Sequence, residues 1–456
     1  MFMGCFRELM DIDWTKPYYV LILMLFFIIS RVPLLNSGFG TDADAWRIAD
    51  SALDLNQFHI YHPSRFPGYP FPEFVNSLVI NYGWLITNSL TMIISLISII
   101  FFAKILKELN VKNKGLIVIT YAFFPIIWIY SACTMDYMWA LTFIIMAWYF
   151  IIKGNYKIAG LVMGLAIGSR ITSILFIIPF IYYMIFTQKN EIKRILNFLI
   201  IAITTSLVLF LPLYLQYGIK FLSYYPSDIS WILVFSDMNY YFGSLALLFG
   251  IVICLLSFKN LFGNLKKDKY LQFLLIIVII YLILFIKVPF EIPYLIPIIP
   301  FGILLINEIT NKKFFAILCV ILLLNSFISF NILSTDSITN KGVVIYDNEF
   351  NAELTGLIQK INNNKIGNSV IIMGDYTPIF YYFNYNKLNG KNNETADKYW
   401  DSKRNILYTS SLNFSNVIKL QNKSYKVYYM GKYTLNFVKH EYGYELDKYN
   451  CSDIME

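Results

Sequence analysis

Long stretches of this chain are apolar at every position rather than along one face, as in "FLLIIVIIYLILFI" from Phe273 to Ile286. A helix needs ~20 apolar residues to cross the ~30 Å hydrocarbon layer of a bilayer, and stretches of about this length recur between Tyr18 and Leu333. Strands of a membrane β-barrel would instead alternate apolar and polar residues. With 57% hydrophobic residues and a mean hydropathy of +0.56, a soluble globular protein is excluded. We therefore predict a polytopic α-helical membrane protein with about 9–11 membrane segments.

The lysines and arginines indicate the topology. They cluster in short connections between apolar stretches, as they do on the cytoplasmic side of membrane proteins. This placement also accounts for the formal charge of +8, so no nucleic-acid partner is expected. The predicted membrane segments are 18–35, 74–103, 115–133, 136–152, 195–217, 241–258, 270–287, 291–308 and 313–333. We expect the protein in the plasma membrane, with its N-terminus in the cytoplasm. The same count places the loops 36–73 and 218–240 outside.

The stretch between residues 158 and 187 does not fit a single helix. Gly164, Gly168, Ser169 and Arg170 interrupt it, and basic loops lie at both of its ends. We predict a pair of short helices whose outer ends both face the cytoplasm. Irregular backbone at membrane depth is tolerated where it lines a cavity enclosed by protein.

The chain divides by composition into two parts. Residues 1–333 are predicted to form the membrane domain, and residues 334–456 a small extracytoplasmic α/β domain. The tail alternates Asn- and Lys-rich stretches with short runs typical of β-strands, namely "GVVIYD", "SVIIMGD", "NILYTS" and "KVYYMG".

Two short motifs stand in the first outside loop, "GTDADAW" from Gly40 to Trp46 and "SRFPGYP" from Ser64 to Pro70. The first predicts a helix capped by Thr41 that lies along the bilayer surface. One polar stripe of this helix would hold Arg47, Asp50, Asp54 and Gln57. In a purely structural interpretation Asp44 completes a capping box and Asp42 complements the helix dipole. The prolines of the second motif restrict the backbone, so Arg65 and Tyr69 should be held in place.

The order of five motifs along residues 18–310 resembles the GT-C superfamily of integral-membrane glycosyltransferases, which includes protein O-mannosyltransferases and the lipid A aminoarabinose transferase. The motifs are "RVPLLNSGFGTDADAWRIA", "SRFPGYP", "TMDYMWAL", "AGLVMGLAIGSR" and "FEIPYLIPIIP". The resemblance implies a GT-C fold and a sugar donor carried on a polyprenyl or dolichyl phosphate. It also implies an acceptor that approaches from outside.

The resemblance further implies an acid in the first outside loop that activates the acceptor hydroxyl. That acid is Asp42 or Asp44, and Asp42 is preferred because the capping interpretation fits Asp44 better. The second acidic position of the family falls on Asp136, whose structural alternative is to cap the following helix. A lysine often found after the helix pair is Arg170 here, which departs from the family pattern. Some relatives use a divalent metal ion, and the sequence leaves metal dependence open.

Inverting transfer needs a base for the acceptor hydroxyl and positive charge for the departing phosphate. The candidate phosphate-binding residues are Arg65, Lys287 and Arg170, and Tyr69, Glu291 and Tyr294 are predicted to shape the lipid and substrate site. Lys287 has an equally good interpretation as a lysine that extends to the membrane interface. Arg170 is a simple boundary residue if the helix pair is shallow.

We predict an inverting glycosyltransferase, similar to mannosyltransferases, that acts on the extracytoplasmic side. The acceptor, whether protein, lipid or glycan, is not identified by the sequence. A multi-pass transporter or lipid flippase and a non-catalytic scaffold of the cell envelope are the alternatives. Transporters commonly show duplicated halves and place ionisable groups at the membrane midplane, whereas most acids here lie in outside loops.

Overall fold

A computed structural model describes residues 12–223, 231–289, 291–328, 341–363, 367–388, 398–410, 414–430 and 451–453. The helices of the first half are α1 Pro17–Arg31, α2 Ala43–Phe58, α3 Pro70–Ser77, α4 Trp84–Glu108, α5 Lys114–Phe123, α6 Pro125–Tyr130, α7 Tyr137–Ile152, α8 Tyr156–Ser169, α9 Ile177–Tyr182 and α10 Ile192–Tyr217. Those of the second half are α11 Trp231–Phe242, α12 Ser244–Leu265, α13 Lys269–Lys287, α14 Ile299–Ile309, α15 Lys312–Asn325, α16 Val343–Asn363, α17 Thr377–Leu388 and α18 Phe414–Asn422.

The chain is a polytopic helical membrane protein. Six of its described helical segments are long and apolar enough to cross a membrane, and four shorter apolar helical segments accompany them. The short ones run over Lys114–Phe123, Tyr137–Ile152, Tyr156–Ser169 and Ile171–Thr187. The predicted fold class is thereby confirmed, because the described segments that are long and apolar enough to cross a membrane are helices.

One predicted membrane segment begins at a different residue in the structure. The segment predicted at 74–103 is divided, because α3 ends at Ser77 and α4 begins only at Trp84. Gly83 lies between them with a φ of +75°, a conformation that glycine adopts without strain. The end of the last predicted segment, residue 333, lies outside the described residues.

The interrupted stretch forms separate helical pieces, as predicted. Helix α8 ends at Ser169, Arg170 is extended with φ −159° and ψ 115°, and a 3-10 turn over Ile171–Phe176 leads into α9. The glycines of α8 face α10 at very close range. A Cβ atom on Gly160 would lie 2.5 Å from the carbonyl oxygen of Phe198. Glycine is therefore required there, since small residues allow two membrane helices to pack backbone to backbone.

The tail contains a five-stranded sheet in the order β2-β3-β1-β4-β5. Its strands are β1 Ser369–Ile372, β2 Lys398–Asp401, β3 Ile406–Thr409, β4 Lys426–Tyr429 and β5 Ser452–Asp453. Strand β1 pairs in parallel with β3 and β4, and β2 joins the edge in antiparallel orientation. The strand predicted for "GVVIYD" is wrong, because these residues begin helix α16, which packs on α6 of the membrane domain.

Helix α2 differs from the predicted surface helix in two ways. Its N-cap is Asp42 and not Thr41, since the Asp42 carboxylate accepts a hydrogen bond from the Asp44 backbone N–H. Its predicted polar stripe is buried at Asp50 and Asp54, whereas Gln57 is exposed. The reason is tertiary packing: α17 of the tail lies against α2.

Candidate active site in the first loop

A single buried carboxylate shapes the segment that carries Arg65. The Oε1 atom of Glu73 accepts a hydrogen bond from the Ser64 N–H at 2.9 Å, and Oε2 accepts one from the Tyr69 N–H at 3.1 Å. The Tyr61 hydroxyl also donates to this carboxylate. Burial raises the pKa of Glu73, while these hydrogen bonds lower it. The segment is thus tied at three points, so Arg65 and Tyr69 are held, as the prolines predicted.

Asp136 joins two arginines from distant parts of the chain. Its Oδ2 lies 2.6 Å from a terminal nitrogen of Arg170, and its Oδ1 lies 3.3 Å from one of Arg65. Asp136 occupies the N-cap position of α7 but makes no capping hydrogen bond with its side chain. The capping alternative for Asp136 is therefore wrong. Its carboxylate, fully buried, instead balances two guanidinium charges.

Tyrosine rings surround Arg170. Its guanidinium carbon lies 4.1 Å from the ring centre of Tyr137 and 4.6 Å from that of Tyr294. The centre of the Tyr69 ring lies 5.7 Å from the guanidinium carbon of Arg170. It lies 4.7 Å from that of Arg65, so this ring contacts both arginines. A cation over aromatic faces is stabilised by their quadrupoles, which lowers the cost of burying it. Arg170 is therefore a buried member of the network rather than a boundary residue.

The two acids of the first motif have different surroundings. Asp44 is buried and forms ion pairs with Arg65 and with Arg47, the latter at 2.5 Å. Asp42 is only half-buried, and the Tyr130 hydroxyl donates to its Oδ2 at 3.4 Å. Burial, with the nearby carboxylate of Glu291, raises the pKa of Asp42 to about 8. The sequence predicted that Asp44 rather than Asp42 takes part in capping the helix. This prediction is wrong, because Asp42 caps the helix and Asp44 is paired with arginines.

Three carboxylates of this site lie close enough to hold one metal ion. Oxygen atoms of Asp42, Asp44 and Glu291 lie within 4.8 Å of one another. Carboxylate oxygens suit hard divalent cations such as Mg²⁺, so the donor chemistry fits. Glu291 also accepts a hydrogen bond from the Tyr137 hydroxyl at 2.5 Å.

The structure brings most of the predicted site residues into one network. Its members are Asp42, Asp44, Arg65, Tyr69, Asp136, Arg170, Glu291 and Tyr294. Lys287 is exposed at the end of α13 and forms no ion pair with any residue that the structure describes. Sequence reasoning missed Tyr137, Tyr130 and the pairing of Arg47 with Asp44. Only Tyr137 had a signal, since it adjoins Asp136 in the motif "TMDYMWAL".

Comparison with known proteins supports the resemblance stated from the motifs. The family model described as dolichyl-phosphate-mannose-protein mannosyltransferase matches residues 73–215. Asp136 and Arg170 lie within the matched residues, whereas Asp42, Asp44 and Arg65 precede them. No curated protein and no solved structure matched the chain. The predicted resemblance is confirmed by this match, which indicates a membrane glycosyltransferase of the mannosyltransferase kind.

Proposed function

We propose that this chain moves a sugar, with inversion, from a polyprenyl- or dolichyl-phosphate carrier to an acceptor hydroxyl on the extracytoplasmic side of the plasma membrane. The observation that carries the proposal is the position of Asp42 at the edge of the arginine network. An oxygen of the half-buried Asp42 carboxylate, whose pKa is raised, lies within 4.8 Å of an oxygen of Asp44, and Asp44 pairs with Arg65. Arg65 in turn shares the buried Asp136 with Arg170. A base and a site for a phosphate are therefore adjacent, as this chemistry requires.

Asp42 is the base in this proposal. Its carboxylate has an elevated pKa, and a base whose pKa lies near the working pH accepts a proton efficiently. Asp44 is a poorer base because two arginines neutralise it. The acceptor hydroxyl loses its proton to Asp42 as its oxygen bonds to the anomeric carbon, and the bond to the carrier phosphate breaks on the opposite face.

Arg65 and Arg170 receive the departing phosphate. Arg65 supports this role with a buried Nε–H that has no hydrogen-bond partner. An unpaired buried donor is costly for the fold, and a phosphate oxygen would satisfy it. Tyr69 and Tyr294 shape the space around these arginines. Lys287 is assigned no role in donor binding because it lies exposed outside the network.

A divalent ion, if this enzyme uses one, would be held by Asp42, Asp44 and Glu291. Its chemistry there would be to offset negative charge on the carrier phosphate. Removal of one of these acids would then weaken metal binding as well as transfer.

A transporter and a scaffold are the competing functions. Both would leave the bond between sugar and phosphate intact. The match to a mannosyltransferase family favours an enzyme that breaks this bond. The site also combines several acids and arginines, whereas a transporter commonly places its ionisable groups at the membrane midplane. We therefore retain the enzyme as the proposed function.

The test is transfer of labelled sugar from a polyprenyl-phosphate donor in membranes that contain D42N. Asparagine is as good an N-cap as aspartate, so α2 should still form and the protein level should stay unchanged. Transfer should fall at least about a hundredfold, the usual effect of losing a general base. Asp13→Asn is the control, because Asp13 pairs with Lys107 away from the site. Full activity in D42N would remove Asp42 from the mechanism.

A further inference from the structure

The proposed base stands at the end of a segment that has no regular structure of its own. Residues 35–41, here called the first-loop segment, join the 3-10 turn Val32–Leu34 to the N-cap of α2, and the structure describes neither a helix nor a strand within them. Such a segment has no backbone ladder, so contacts with neighbouring elements must fix its position. Because Asp42 follows it directly, the placement of the Asp42 carboxylate depends on what holds this segment.

The membrane domain holds the first-loop segment through its backbone. The Asn88 side chain of α4 donates to the carbonyl oxygens of Leu35 and Gly38, at 3.1 and 2.8 Å. The backbone N–H of Thr134 donates to the carbonyl oxygen of Phe39 at 2.8 Å. These bonds fix the segment against α4 and against the residues that precede α7.

Helix α16 of the tail supplies three further hydrogen bonds to the first-loop segment. The Thr41 hydroxyl donates to Asp347 at 2.8 Å, and the Ser37 hydroxyl donates to Asn348 at 2.5 Å. The Thr355 hydroxyl donates to the Ser37 carbonyl oxygen at 2.9 Å. The first of these bonds is made by the residue that directly precedes the proposed base.

The contact between the first-loop segment and α16 is tightly packed. Gly38 has a φ of +135°, and a Cβ atom there would lie 2.6 Å from the Thr355 hydroxyl oxygen and 2.8 Å from the Asn351 amide oxygen. Glycine is therefore required, because any other side chain would push α16 away from the segment. Ser37, Asn351 and Thr355 are all buried in this contact. The tail and the first loop thus meet in a packed junction.

Helix α16 is itself anchored, so it can serve as a fixed support. Its apolar residues Val344, Leu354 and Ile358 are buried. The helix packs on α6 of the membrane domain and on α17 of the tail. Its Tyr346 ring also lies 6.0 Å from the ring of Tyr240 on α11. The hydrogen bonds of α16 therefore tie the first-loop segment to a helix that is held on several sides.

A fixed support matters for the proposed chemistry because a base has to be placed accurately. Catalytic groups must be held within about 0.5 Å of their productive position. A misplacement of about 1 Å can lower a rate about a hundredfold. A segment without regular structure meets this demand only through its tertiary hydrogen bonds, and α16 supplies the one nearest to Asp42.

The donor side of the site is held without the tail. Arg65 pairs with Asp44 and Asp136, and Arg170 pairs with Asp136. The segment that carries Arg65 is tied by Glu73. All of these partners belong to the membrane domain. Loss of the tail contacts should therefore disturb the base and leave the phosphate-binding arginines in place.

We propose that Asp347, Asn348 and Thr355 are positioning residues, through which the docked tail keeps Asp42 in place for transfer. This assignment rests on the proposed function, because it takes Asp42 as the base. The three residues act through the first-loop segment and do not touch the reacting atoms. An enzyme whose tail contacts are broken should therefore still bind its donor but transfer the sugar slowly.

Paired variants at each position separate a lost hydrogen bond from a changed side chain. D347L, N348L and T355V each remove one bond to the first-loop segment. D347N, N348D and T355S each keep an oxygen atom that can make this bond. E349Q is the control on the same helix, because Glu349 is exposed and paired with Lys341.

The kinetic constants for sugar transfer are the first measurement. D347L, N348L and T355V should each lower kcat about tenfold and leave the donor KM unchanged, because the base is loosened and the arginines are not. D347N, N348D, T355S and E349Q should retain the wild-type kcat. An unchanged kcat in all three bond-removing variants, a donor KM that rises as kcat falls, or equal losses in the conservative variants would overturn the assignment.

A double-mutant cycle tests whether Asp347 acts through Thr41. T41V removes the other partner of the same hydrogen bond, so it should lower kcat as much as D347L does. The double variant should then be no slower than either single variant. Additive losses would show that Asp347 does not act through this bond.

Hydrogen–deuterium exchange of the purified full chain in detergent tests the positioning without turnover. The backbone amides of residues 38–44 should exchange about fivefold faster in D347L than in the wild type, since one stabilising hydrogen bond is lost. D347N and E349Q should exchange like the wild type. Equal exchange in D347L and the wild type would contradict the assignment.

The two measurements together separate the two proposals. If the wild type transfers no sugar while D347L still speeds exchange in residues 38–44, the proposed function fails and the hold of the tail on this segment stands. If the wild type transfers sugar and D347L, N348L and T355V match its kcat, the positioning role fails and the proposed function stands.

Discussion

At the scale of single residues, the neighbours of each acid determine what it can do. Asp136 is fully buried between two arginines, and Asp44 is paired with two. Among the described residues, the hydrogen-bond partners of the Asp42 carboxylate are a tyrosine hydroxyl and a backbone N–H. Ion pairing holds the first two as charge-balancing groups. Of these three acids, Asp42 is the one that combines partial exposure with a raised pKa, which is why the proposed chemistry is assigned to it.

The raised pKa of Asp42 gives a prediction on pH. A general base works as the carboxylate, so transfer at low donor concentration should increase as the pH rises through about 8, the pKa that burial and Glu291 give to this group. The measurement is kcat/KM between about pH 6 and pH 9, with D42E as the comparison that retains a carboxylate. A flat profile in the wild type over this range would contradict the assignment of Asp42 as base.

At the scale of elements, most of α2 is buried although its sequence is amphipathic. Trp46 packs against Tyr382 and Phe383 of α17, with ring centres 5.7 and 5.8 Å apart. Asp50, one turn farther along α2, is also buried, and neither of its carboxylate oxygens has a hydrogen-bond partner. Burial raises the pKa of Asp50 well above its ordinary value, and the nearby Asp54 raises it further. The contact between α2 and the tail is therefore formed at a cost in stability.

Replacement of Asp50 by asparagine should stabilise the protein. The unfolded chain ionises Asp50 above about pH 4, whereas the folded state keeps the proton or buries the charge, so folding loses free energy as the pH rises. D50N removes this loss and should raise the free energy of unfolding by about 1–3 kcal/mol at neutral pH. The gain should disappear as the pH falls to about 4.

Thermal unfolding in detergent at both pH values measures this effect. Glu353→Gln, at an exposed position of α16, is the control and should change little. A lower Tm for D50N at neutral pH would show that the Asp50 carboxylate is stabilising instead.

At the scale of the whole molecule, the tail is part of the site. Helix α16 lies beside Thr41 and Asp42, and α17 packs on α2. The start of the first loop and helix α2 therefore both rest on residues after position 341. If the first loop is extracytoplasmic, the tail must be on the same side. The topology inferred from lysines and the packing of the tail are thus linked.

This link predicts how single cysteines react in intact cells. Lys341→Cys, at a side chain 54% exposed, should react with a membrane-impermeant thiol reagent above the wild-type background. Lys189→Cys, in a loop predicted to be cytoplasmic, should react only after the membrane is permeabilised. The reverse pattern would place the tail and the first loop in the cytoplasm and would contradict the proposed side of transfer.

The sequence by itself determined the membrane class, the break near Arg170 and the concentration of site residues around residues 42, 65, 136 and 170. These features depend on local composition, because the length of an apolar stretch and the presence of glycine act on the segment that contains them. The sequence also predicted that Arg65 and Tyr69 would be held, although it did not reveal Glu73 as the group that ties them.

Only the tertiary structure decided which groups are partners. Asp136 lies 71 residues from Arg65 and 34 from Arg170, and Asp347 lies 306 residues from Thr41. No pattern within a helix specifies such pairs, since they depend on how whole helices pack against one another. The same packing buried Asp50 and Asp54 of α2, made a helix of the β-branched run at α16, and placed that helix beside Asp42. Local sequence motifs identified the candidate acids. Their ion pairs, pKa shifts and exposure depend on residues that are distant in the sequence.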